Sequence, residues 1–492
     1  MTTIQKSTDT SASVVEKPAA KKLLTDTLFR TVVVSAMGSM QHGYNLWVVY
    51  SPTLLMKDFT HEDNQYMLFM LEITVSLFPL GGLIGALAVG SMVDTYGRKG
   101  ALLINSFCSM VSSMFMICST VIHAYLFSMF SRFLVGITMG IFSGVVPLYL
   151  AEISPVNLRG AIGMLPHLFL TLGVLLAQIL AFQELLGNKE DWPILMSFSG
   201  ILALFQTIVI PAFPESPRYL LIQKNDEEKA REALKKLRRQ DDVEHEIKEI
   251  CQENLSEKSD KGMNALKLLC YPGLRWQVIS IIILMSGQQL SGVNAVYFYT
   301  DRIYLSTVID KDNTRFIAVG STIAILIFVL IGMYLVDSMG RKRLLLFGFG
   351  ICTFFCIVLT MTLELQATIS WMSYINAVFI NVFLLGHASG PSSLPNLITA
   401  EMFLQSTRSS AFVVAGCVHW FLNFFTVTTF LHLQQYIGFY SFLICCPICA
   451  ATFVYIFKMI PETKGKTFVE IRKVVPVYVG KRALAKRRRR GR

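Results

Sequence analysis

Asp94-Thr-Tyr-Gly97-Arg98-Lys99 is followed, 243 residues later, by the closely similar stretch Asp337-Ser-Met-Gly340-Arg341-Lys342. Two further motifs repeat in the same order: Glu152 with Arg159 matches Glu401 with Arg408, and Pro214-Glu215-Ser216 matches Pro461-Glu462-Thr463. The offsets of the second and third motifs are 249 and 247 residues. One repeated motif would be weak evidence, but three in order at nearly constant offset indicate two homologous halves.

The composition places these halves in a lipid bilayer. Of the 492 residues, 53% are hydrophobic and 16% are charged, whereas about a quarter of a soluble domain is charged. Lipid offers the backbone no hydrogen bonds, so apolar stretches of spanning length must be helices. Twelve occur, in two groups of six, at 29–51, 70–93, 101–122, 125–149, 160–184, 192–213, 276–300, 314–337, 343–364, 371–396, 409–432 and 438–459.

The chain is therefore predicted to be an all-α membrane protein in five parts: an N-terminal tail (1–28), a six-helix bundle (29–213), a linker (214–272), a second six-helix bundle (273–459) and a basic tail (460–492). Apolar residues in the linker recur at helical spacing, namely Ala230, Ala233, Leu234 and Leu237. We expect this linker to form a soluble, amphipathic helical patch between the two bundles.

Lys and Arg cluster in alternate connections between the spans, in the linker and in the tail. By the positive-inside rule these connections and both termini are cytoplasmic. Eight of the basic residues lie between Lys481 and Arg492, so most of the net charge of +11 belongs to one terminal run. Such a run is usually a solvated tail or a topology signal, and contact with anionic lipid or a trafficking receptor is the alternative. The charge therefore gives no reason to expect a nucleic-acid partner.

The repeated motifs carry charges at the cytoplasmic helix ends. We expect the arginines to pair with the glutamates across the two bundles and so form a latch, or gate: Arg98, Arg159, Arg341 and Arg408 with Glu152, Glu215, Glu401 and Glu462. Breaking this latch would separate two states of a bistable molecule. The alternative is that these charges only set topology and cap helices.

Uncharged polar residues at membrane depth are the candidates for a ligand site. The seventh span carries Gln288, Gln289 and Asn294, and an amide both donates and accepts, as a neutral polyhydroxylated ligand requires. Hydrogen bonding between helices is the alternative role. The tenth span carries His387 ahead of Gly390-Pro391 and Pro395, which predict a broken helix. His42, His167, His387 and His419 fall inside spans, where hydrogen-bonded packing is the expected role for any one of them alone. Trp420 and Asn423 could border a ligand.

The ten cysteines lie mostly inside apolar stretches, where thiols behave as small hydrophobic side chains. Cys446-Pro-Ile-Cys449 has redox spacing but lies in a continuous apolar segment, which favours a structural role. No nucleophile with a partnered base, metal cluster or phosphate loop is apparent, so an enzyme is not expected.

The motifs resemble those of the sugar-porter branch of the major facilitator superfamily over about 29–472. The matching stretches are Gly97-Arg98-Lys99, Arg132 with Gly136, Pro214–Arg218, Gln288–Ser291, Gly340–Lys342 and Pro461–Gly465. Within that branch the chain resembles the class II facilitative hexose transporters, the group that contains the fructose transporter. Asn396 stands where the glucose-preferring class has a tryptophan, and His387 also resembles the fructose type.

This resemblance implies a plasma-membrane uniporter that moves a hexose down its gradient by a rocker-switch motion, without cofactor, metal or ATP. Six residues match the family's sugar-lining positions: Gln288, Gln289, Asn294, His387, Trp420 and Asn423. Three positions depart: His42 replaces a tyrosine or similar residue, His167 a glutamine and Ile325 an asparagine. Losing a hydrogen-bonding amide costs about 1 kcal/mol or more of affinity, and imidazoles can substitute with a different reach.

Three alternatives to hexose uniport stay open. The chain could carry another small solute such as urate or a vitamin, couple sugar uptake to protons through His42 or His167, or act as a sensor that does not transport. The complete gate motifs in both halves favour a transporter over a sensor. The sequence contains no signal for an oligomer.

Overall fold

The computed structural model of the chain describes residues 24–48, 64–121, 125–256 without 189, 263–296 without 295, 311–466 without 367 and 370, and 470–471. The predicted basic tail from Lys481, most of the N-terminal tail, and the ends of the first and seventh predicted spans lie outside these residues. Within the described residues the secondary structure is helical.

The first half contains α1 Asp26–Trp47, α2 Asn64–Val121, α3 Tyr125–Ile153, α4 Arg159–Leu180, α5 Trp192–Ser197, α6 Ser199–Val209 and a 3₁₀ turn Ile210–Ala212. The segment after it contains a π-helical turn Tyr219–Gln223, α7 Glu227–Arg238, α8 Glu244–Ser256, α9 Ala265–Cys270 and a 3₁₀ turn Pro272–Leu274. The second half contains α10 Arg275–Gln289, α11 Lys311–Met339, α12 Arg341–Leu365, α13 Met372–Ser389, α14 Leu394–Met402, α15 Gln405–Ile437, a 3₁₀ turn Gly438–Tyr440 and α16 Ser441–Met459.

Nine helical segments of the described chain are long and apolar enough to cross a membrane. One of them, Ile73–Cys118, is a pair of helices, because α2 has a kink at Gly97. The shorter or more polar α1 and α10 occupy the positions of the first and seventh predicted spans, which makes the arrangement consistent with twelve helices. The two halves meet where α2 packs on α15 and α4 packs on α11.

Glycine is required at the two equivalent bends, Gly97 and Gly340. Their φ angles are 77° and 94°, a region that disfavours any residue with a Cβ atom. After each bend a glutamate accepts from the next two backbone N–H groups: Glu215 after Gly97 at 3.1 Å, and Glu462 after Gly340 at 2.9 and 3.1 Å. A carboxylate at a helix N-terminus satisfies unpaired donors and is favoured by the helix dipole.

The helical patch after the first half forms as the sequence predicts. Ala230, Ala233, Leu234 and Leu237 are the buried residues of α7. Ala230 and Leu234 pack with residues of the π-helical turn and α8, and Leu237 packs into the core of the first half. Lys236 and Glu232 form a 2.7 Å ion pair on the exposed side. A hydrogen bond of 2.5 Å from Thr25 Oγ1 to the Leu237 carbonyl ties the patch to the start of α1.

The predicted break in the tenth span is confirmed. Helix α13 ends at Ser389, and α14 begins at Leu394 after the intervening Gly390-Pro391. Gly390 has its Cα against the backbone of α12, where an added Cβ would lie 2.6 Å from the Leu344 carbonyl oxygen. The break therefore brings two helices into close approach and frees polar backbone groups at membrane depth.

Replacing Gly340 with Ala should destabilise the protein by about 1–2 kcal/mol, because alanine is strained at positive φ. Its Cβ would also lie 2.5 Å from Glu462 Oε2. Thermal unfolding of purified protein measures the effect, expected as a fall of a few degrees. Gly320→Ala is the control, since nothing lies within 4 Å of its added Cβ. Equal melting temperatures for the two variants would contradict the requirement for glycine.

Candidate functional site

A central cavity lies between the two halves. Its volume is about 180 Å³. Helices α1 and α4 of the first half and α10, α11, α13 and α15 of the second contribute its walls. All eight candidate ligand residues line it: His42, His167, Gln288, Gln289, Asn294, His387, Trp420 and Asn423.

The described lining of this cavity contains no Asp, Glu, Lys or Arg. Its polar groups are amides, imidazoles and hydroxyls, and the rest is aliphatic or aromatic. Ile325, which replaces an asparagine expected from the family resemblance, also lines the wall. Such a surface can exchange hydrogen bonds with a neutral polyol and has no fixed charge with which to hold an ion.

A chain of hydrogen bonds joins α10 to α15 along one wall. Asn423 Nδ2 donates to Gln289 Oε1 at 3.0 Å. His419 Nδ1 lies 3.0 Å from both Gln289 Nε2 and Gln288 Oε1, and its tautomer decides which amide it bonds. His419 therefore lines the site, although the sequence analysis placed it inside a span without assigning it to the ligand. Its spacing from Trp420 and Asn423 on one helix was the available signal.

The same chain continues across the broken tenth span to the first half. Gln288 Nε2 donates to the Ser392 carbonyl at 2.7 Å, and Ser392 Oγ lies 3.1 Å from His167 Nδ1. His387 Nε2 lies 3.3 Å from the Gln288 carbonyl oxygen. The other ring nitrogen of His167, Nε2, is buried and has no protein partner among the described residues. An unpaired buried nitrogen is a group that a ligand or water would satisfy.

Trp420 reaches from the second half into the first. Its indole Nε1 donates to Ser143 Oγ at 3.0 Å, and its ring stacks on His42 with a centroid distance of 5.3 Å. An added Cβ at Gly82 would overlap the indole ring, so this approach depends on glycine. Trp420 is 1% exposed and acts as a contact between the halves as well as a cavity wall.

A second, smaller chamber lies between the cavity and the face that carries the Gly-Arg-Lys motifs, called here the motif face. It is lined by residues one or two turns nearer that face, among them Ser39, Pro147, Asn396 and Phe412. The two chambers share a ring of five polar residues: His42, His167, Gln288, Ser392 and His419. These shared residues, called here the polar ring, form the boundary between the two chambers.

At the motif face, the expectation that Arg98 and Arg341 pair across the halves is wrong. Arg98 pairs with Glu152 of its own half at 2.9 Å, and Arg341 pairs with Glu401 of its own half at 3.0 Å. Each glutamate also accepts from a hydroxyl at equivalent positions of the repeat, Ser216 and Thr463. These buried, hydrogen-bonded pairs join helices within one half, because the arginine begins a helix that packs beside the glutamate's helix.

Glu215 and Glu462 also differ from the expectation, because they cap the helices that begin at Arg98 and Arg341. Burial raises the pKa of the Glu215 carboxyl, and its hydrogen bond from the Ser216 N–H opposes that shift. The Glu215 carboxylate therefore accepts hydrogen bonds from backbone N–H groups of its own half.

At the motif face the contacts between the halves are one longer ion pair and single hydrogen bonds. Arg408 lies 3.9 Å from Glu152, and buried Arg159 interacts electrostatically with Glu401, so these two arginines do face glutamates of the other half. A hydrogen bond of 2.8 Å from Gln405 Nε2 to Glu152 Oε1 also crosses.

Two more crossing contacts involve the aspartates of the repeated motif. Asp337 Oδ2 accepts from the Ala161 N–H at 3.1 Å, and Asp94 Oδ2 accepts from Ser409 Oγ at 3.3 Å. The sequence analysis quoted both aspartates but assigned them no partner. Their equivalent positions in the repeat were the signal for equivalent contacts.

The linker supplies a carboxylate that the sequence did not reveal. Glu253 of α8 is 1% exposed, pairs with Arg218, and lies 3.4 Å from Arg408. It also accepts from the Gln405 N–H at 3.2 Å. Glu253 therefore fastens the helical patch to the start of α15, and no counterpart in the repeat marks it.

Comparison with known proteins places this arrangement. The family model described as "Sugar (and other) transporter" matches residues 31–475. The chain is 46% identical over 462 residues to the human protein named solute carrier family 2, facilitated glucose transporter member 5, covering 92% of each chain. It is 44% identical over 466 residues to the mouse facilitated glucose transporter member 7, covering 92% of this chain and 91% of that one.

Solved structures share the fold. The proton:xylose symporter XylE bound to 6-bromo-6-deoxy-D-glucose superposes with a TM-score of 0.81 at 20% identity, over 91% of this chain and 99% of the symporter. The inward open conformation of XylE from E. coli gives a TM-score of 0.67 at 19% identity, over 91% and 100%. These matches confirm the major facilitator fold that the resemblance of the motifs implies.

Replacing Gln405 with Ala should loosen the contact between the halves at the motif face. It removes the hydrogen bond to Glu152 and the one that Gln405 Oε1 accepts from Arg408 within the second half, but it leaves the Arg98–Glu152 pair in place. A buried hydrogen bond to a charged group contributes about 1.5–3 kcal/mol, so amide hydrogens at the ends of α3 and α14 should exchange roughly tenfold faster.

Hydrogen–deuterium exchange with mass spectrometry measures this effect. Lys236→Ala is the control, because Lys236 pairs only on the exposed side of α7. Unchanged exchange in Gln405→Ala would show that this bond does not hold the halves together.

Proposed function

Because the chain belongs to the sugar (and other) transporter family, we propose that it carries a hexose, fructose ahead of glucose, across a membrane by facilitated transport. It is a multi-pass membrane protein with the major facilitator fold, and its relatives are transporters rather than enzymes. The observation that carries the proposal is the uncharged, amide- and imidazole-lined cavity between two homologous halves.

The cavity chemistry suits a neutral hexose. A sugar hydroxyl both donates and accepts, and the side chains of Gln288, Gln289, Asn294 and Asn423 offer both functions at one wall. The indole of Trp420 and the His42 ring stacked on it offer an apolar face for the C–H side of a sugar ring. His167 Nε2, buried without a protein partner among the described residues, faces the position where a further hydroxyl would bind.

The contacts at the motif face support alternating access. Buried ion pairs lie within each half, so each half can move as a rigid unit, while the contacts that cross the motif face are one longer ion pair and single hydrogen bonds. In the conformation described, these crossing contacts are formed. Breaking them would open the second chamber to that face and let a ligand pass the polar ring.

The arrangement in the cell follows from the charge pattern. We place the motif face and both termini in the cytoplasm and the protein in the plasma membrane, because Lys and Arg concentrate on that side. The division into bundles 29–213 and 273–459 with linker 214–272 belongs to the same proposal. The pairing of Glu253 with Arg408 of the second half, and the hydrogen bond from Arg238 Nη1 to the Ile153 carbonyl of the first, support a linker that contacts both halves on the cytoplasmic side.

Preference for fructose rests on two positions. Asn396 lines the second chamber where a tryptophan would fill it, and His387 lies against the Gln288 backbone at the broken tenth span. With asparagine instead of tryptophan at position 396, the passage would be wider and more polar. It would then admit a sugar whose hydroxyl groups are arranged differently from those of glucose. His167 would take the place of the glutamine associated with fructose in the family.

Proton-coupled sugar uptake is the second candidate. Four imidazoles line the cavity, His42, His167, His387 and His419, and each can gain a proton. The described lining offers no carboxylate to share that proton, which favours uniport over coupling. Uptake with and without an imposed pH gradient separates the two functions.

Uptake of labelled fructose and glucose by purified protein in liposomes tests the proposal. We expect saturable fructose uptake that does not change when a pH gradient is imposed. Gln288→Ala should raise the fructose KM roughly tenfold, since each lost hydrogen bond costs about 1–1.5 kcal/mol and this amide makes more than one.

Asn381→Ala is the matched control, because this amide in α13 bonds the Ala377 carbonyl of its own helix. If neither sugar enters liposomes that contain folded protein, the result contradicts hexose transport. A fall in folded protein for Gln288→Ala, with unchanged KM, would assign Gln288 to packing instead.

A further inference from the structure

Helix α10 stops inside the membrane, between the residues that line the cavity. It ends at Gln289, and Gly292 follows with a φ of 93°, so the chain leaves the helical path before Asn294. The last carbonyl groups of a helix lack partners within it, and lipid cannot supply hydrogen bonds to them. Other groups of the protein must therefore donate to the carbonyls at this break.

The Gln288 carbonyl finds its donors near the cavity. Ser291 Oγ donates to it at 2.8 Å, and His387 Nε2 lies 3.3 Å away. The Ser291 carbonyl points to the opposite side, into the interior of the second half. There two thiols donate to the same oxygen, Cys356 Sγ at 3.7 Å and Cys449 Sγ at 3.5 Å.

These two cysteines come from different helices. Cys356 lies on α12 and Cys449 on α16, and both are fully buried. A third thiol, Cys445, is against the same backbone, since an added Cβ at Gly292 would lie 3.4 Å from its sulfur. The break of α10 therefore packs against the sulfur atoms of these three cysteines, on the side away from the cavity.

We propose that Cys356 and Cys449 are positioning residues for the ligand site. By donating to the Ser291 carbonyl from two sides, they fix the point where α10 breaks. Gln288 and Gln289 precede that point and Asn294 follows it, so the directions of all three amides depend on it. Sulfur is a weak donor, and the two contacts together supply what one hydroxyl would. The cysteines touch no ligand and act only through the backbone.

Removing both donors tests this proposal by kinetics and by exchange. Cys356→Ala with Cys449→Ala should raise the fructose KM on the order of fivefold with a smaller change in the maximal rate per folded protein. Amide exchange in residues 284–294 should accelerate as the break loosens. Cys356→Ser with Cys449→Ser keeps a donor at each position and should restore KM and exchange to near their original values.

Cys352→Ala is the matched control. Cys352 is one turn from Cys356 on α12, is equally buried and lies in the same apolar cluster, but it makes no hydrogen bond to Ser291 in the described structure. It therefore creates a similar void without removing a donor. The positioning role would be overturned if KM and amide exchange are unchanged in the double alanine variant. It would also be overturned if Cys352→Ala changes them equally.

The kinetic readout depends on the proposed function, whereas the exchange readout does not. If the unmodified protein carries no hexose, the proposal of hexose transport is wrong. Amide exchange in residues 284–294 still decides the role of the thiols. If the double alanine variant does not fold, the two single alanine variants carry the same comparison. Faster exchange in each single variant, rescued by serine, supports the proposal, and no difference from Cys352→Ala refutes it.

Discussion

Contacts within each half are stronger than the single contacts between the halves at the motif face, and this difference determines how the molecule can move. Arg98–Glu152 and Arg341–Glu401 are buried, charge-assisted and supported by a hydroxyl, so each half is fastened internally. Removing one partner of such a pair strands a buried charge, which costs several kcal/mol. The contacts across the halves are longer or single hydrogen bonds. Relative motion of two intact halves is therefore the least costly large motion available to the protein.

The cavity lies where that motion has most effect. Its walls come from both halves, and its polar ring, shared with the second chamber, includes residues of each. A ligand that bonds Gln288 of one half and His167 of the other would be sensitive to their separation. Trp420, buried against Gly82 and Ser143, makes a further contact that must slide or break. Binding and motion are thus coupled through the same few side chains.

The sequence revealed the architecture because lipid leaves a helix few alternatives and because the repeat doubled each signal. The break after Ser389 and the buried face of α7 were readable from residue type and spacing, whereas the positive φ angles at Gly97 and Gly340 emerged only from the structure. The pairing at the motif face was not, since charge and spacing do not tell whether a glutamate faces its own half or the other. The role of Glu253 could not be predicted for another reason. Its partners are distant in sequence, and it has no counterpart in the repeat.

The candidate site was predictable to the level of side chains but not of their connections. All eight selected residues line one cavity, because polar groups at membrane depth need partners or a cavity. The chain of bonds through His419 and Ser392 depends on how the broken tenth span folds back, which no local pattern specifies. The thiols behind Ser291 were read as ordinary apolar side chains for the same reason.

Distance measurement between spin labels across the motif face tests the central claim most directly. Tyr96 of the first half and Met339 of the second are exposed there, and Met339 with Phe457 forms a control pair within the second half. Adding fructose to protein in a bilayer should populate a longer Tyr96–Met339 distance and leave the Met339–Phe457 distance unchanged. A single, unchanged Tyr96–Met339 distance, or equal changes in both pairs, would contradict two rigid halves that move apart.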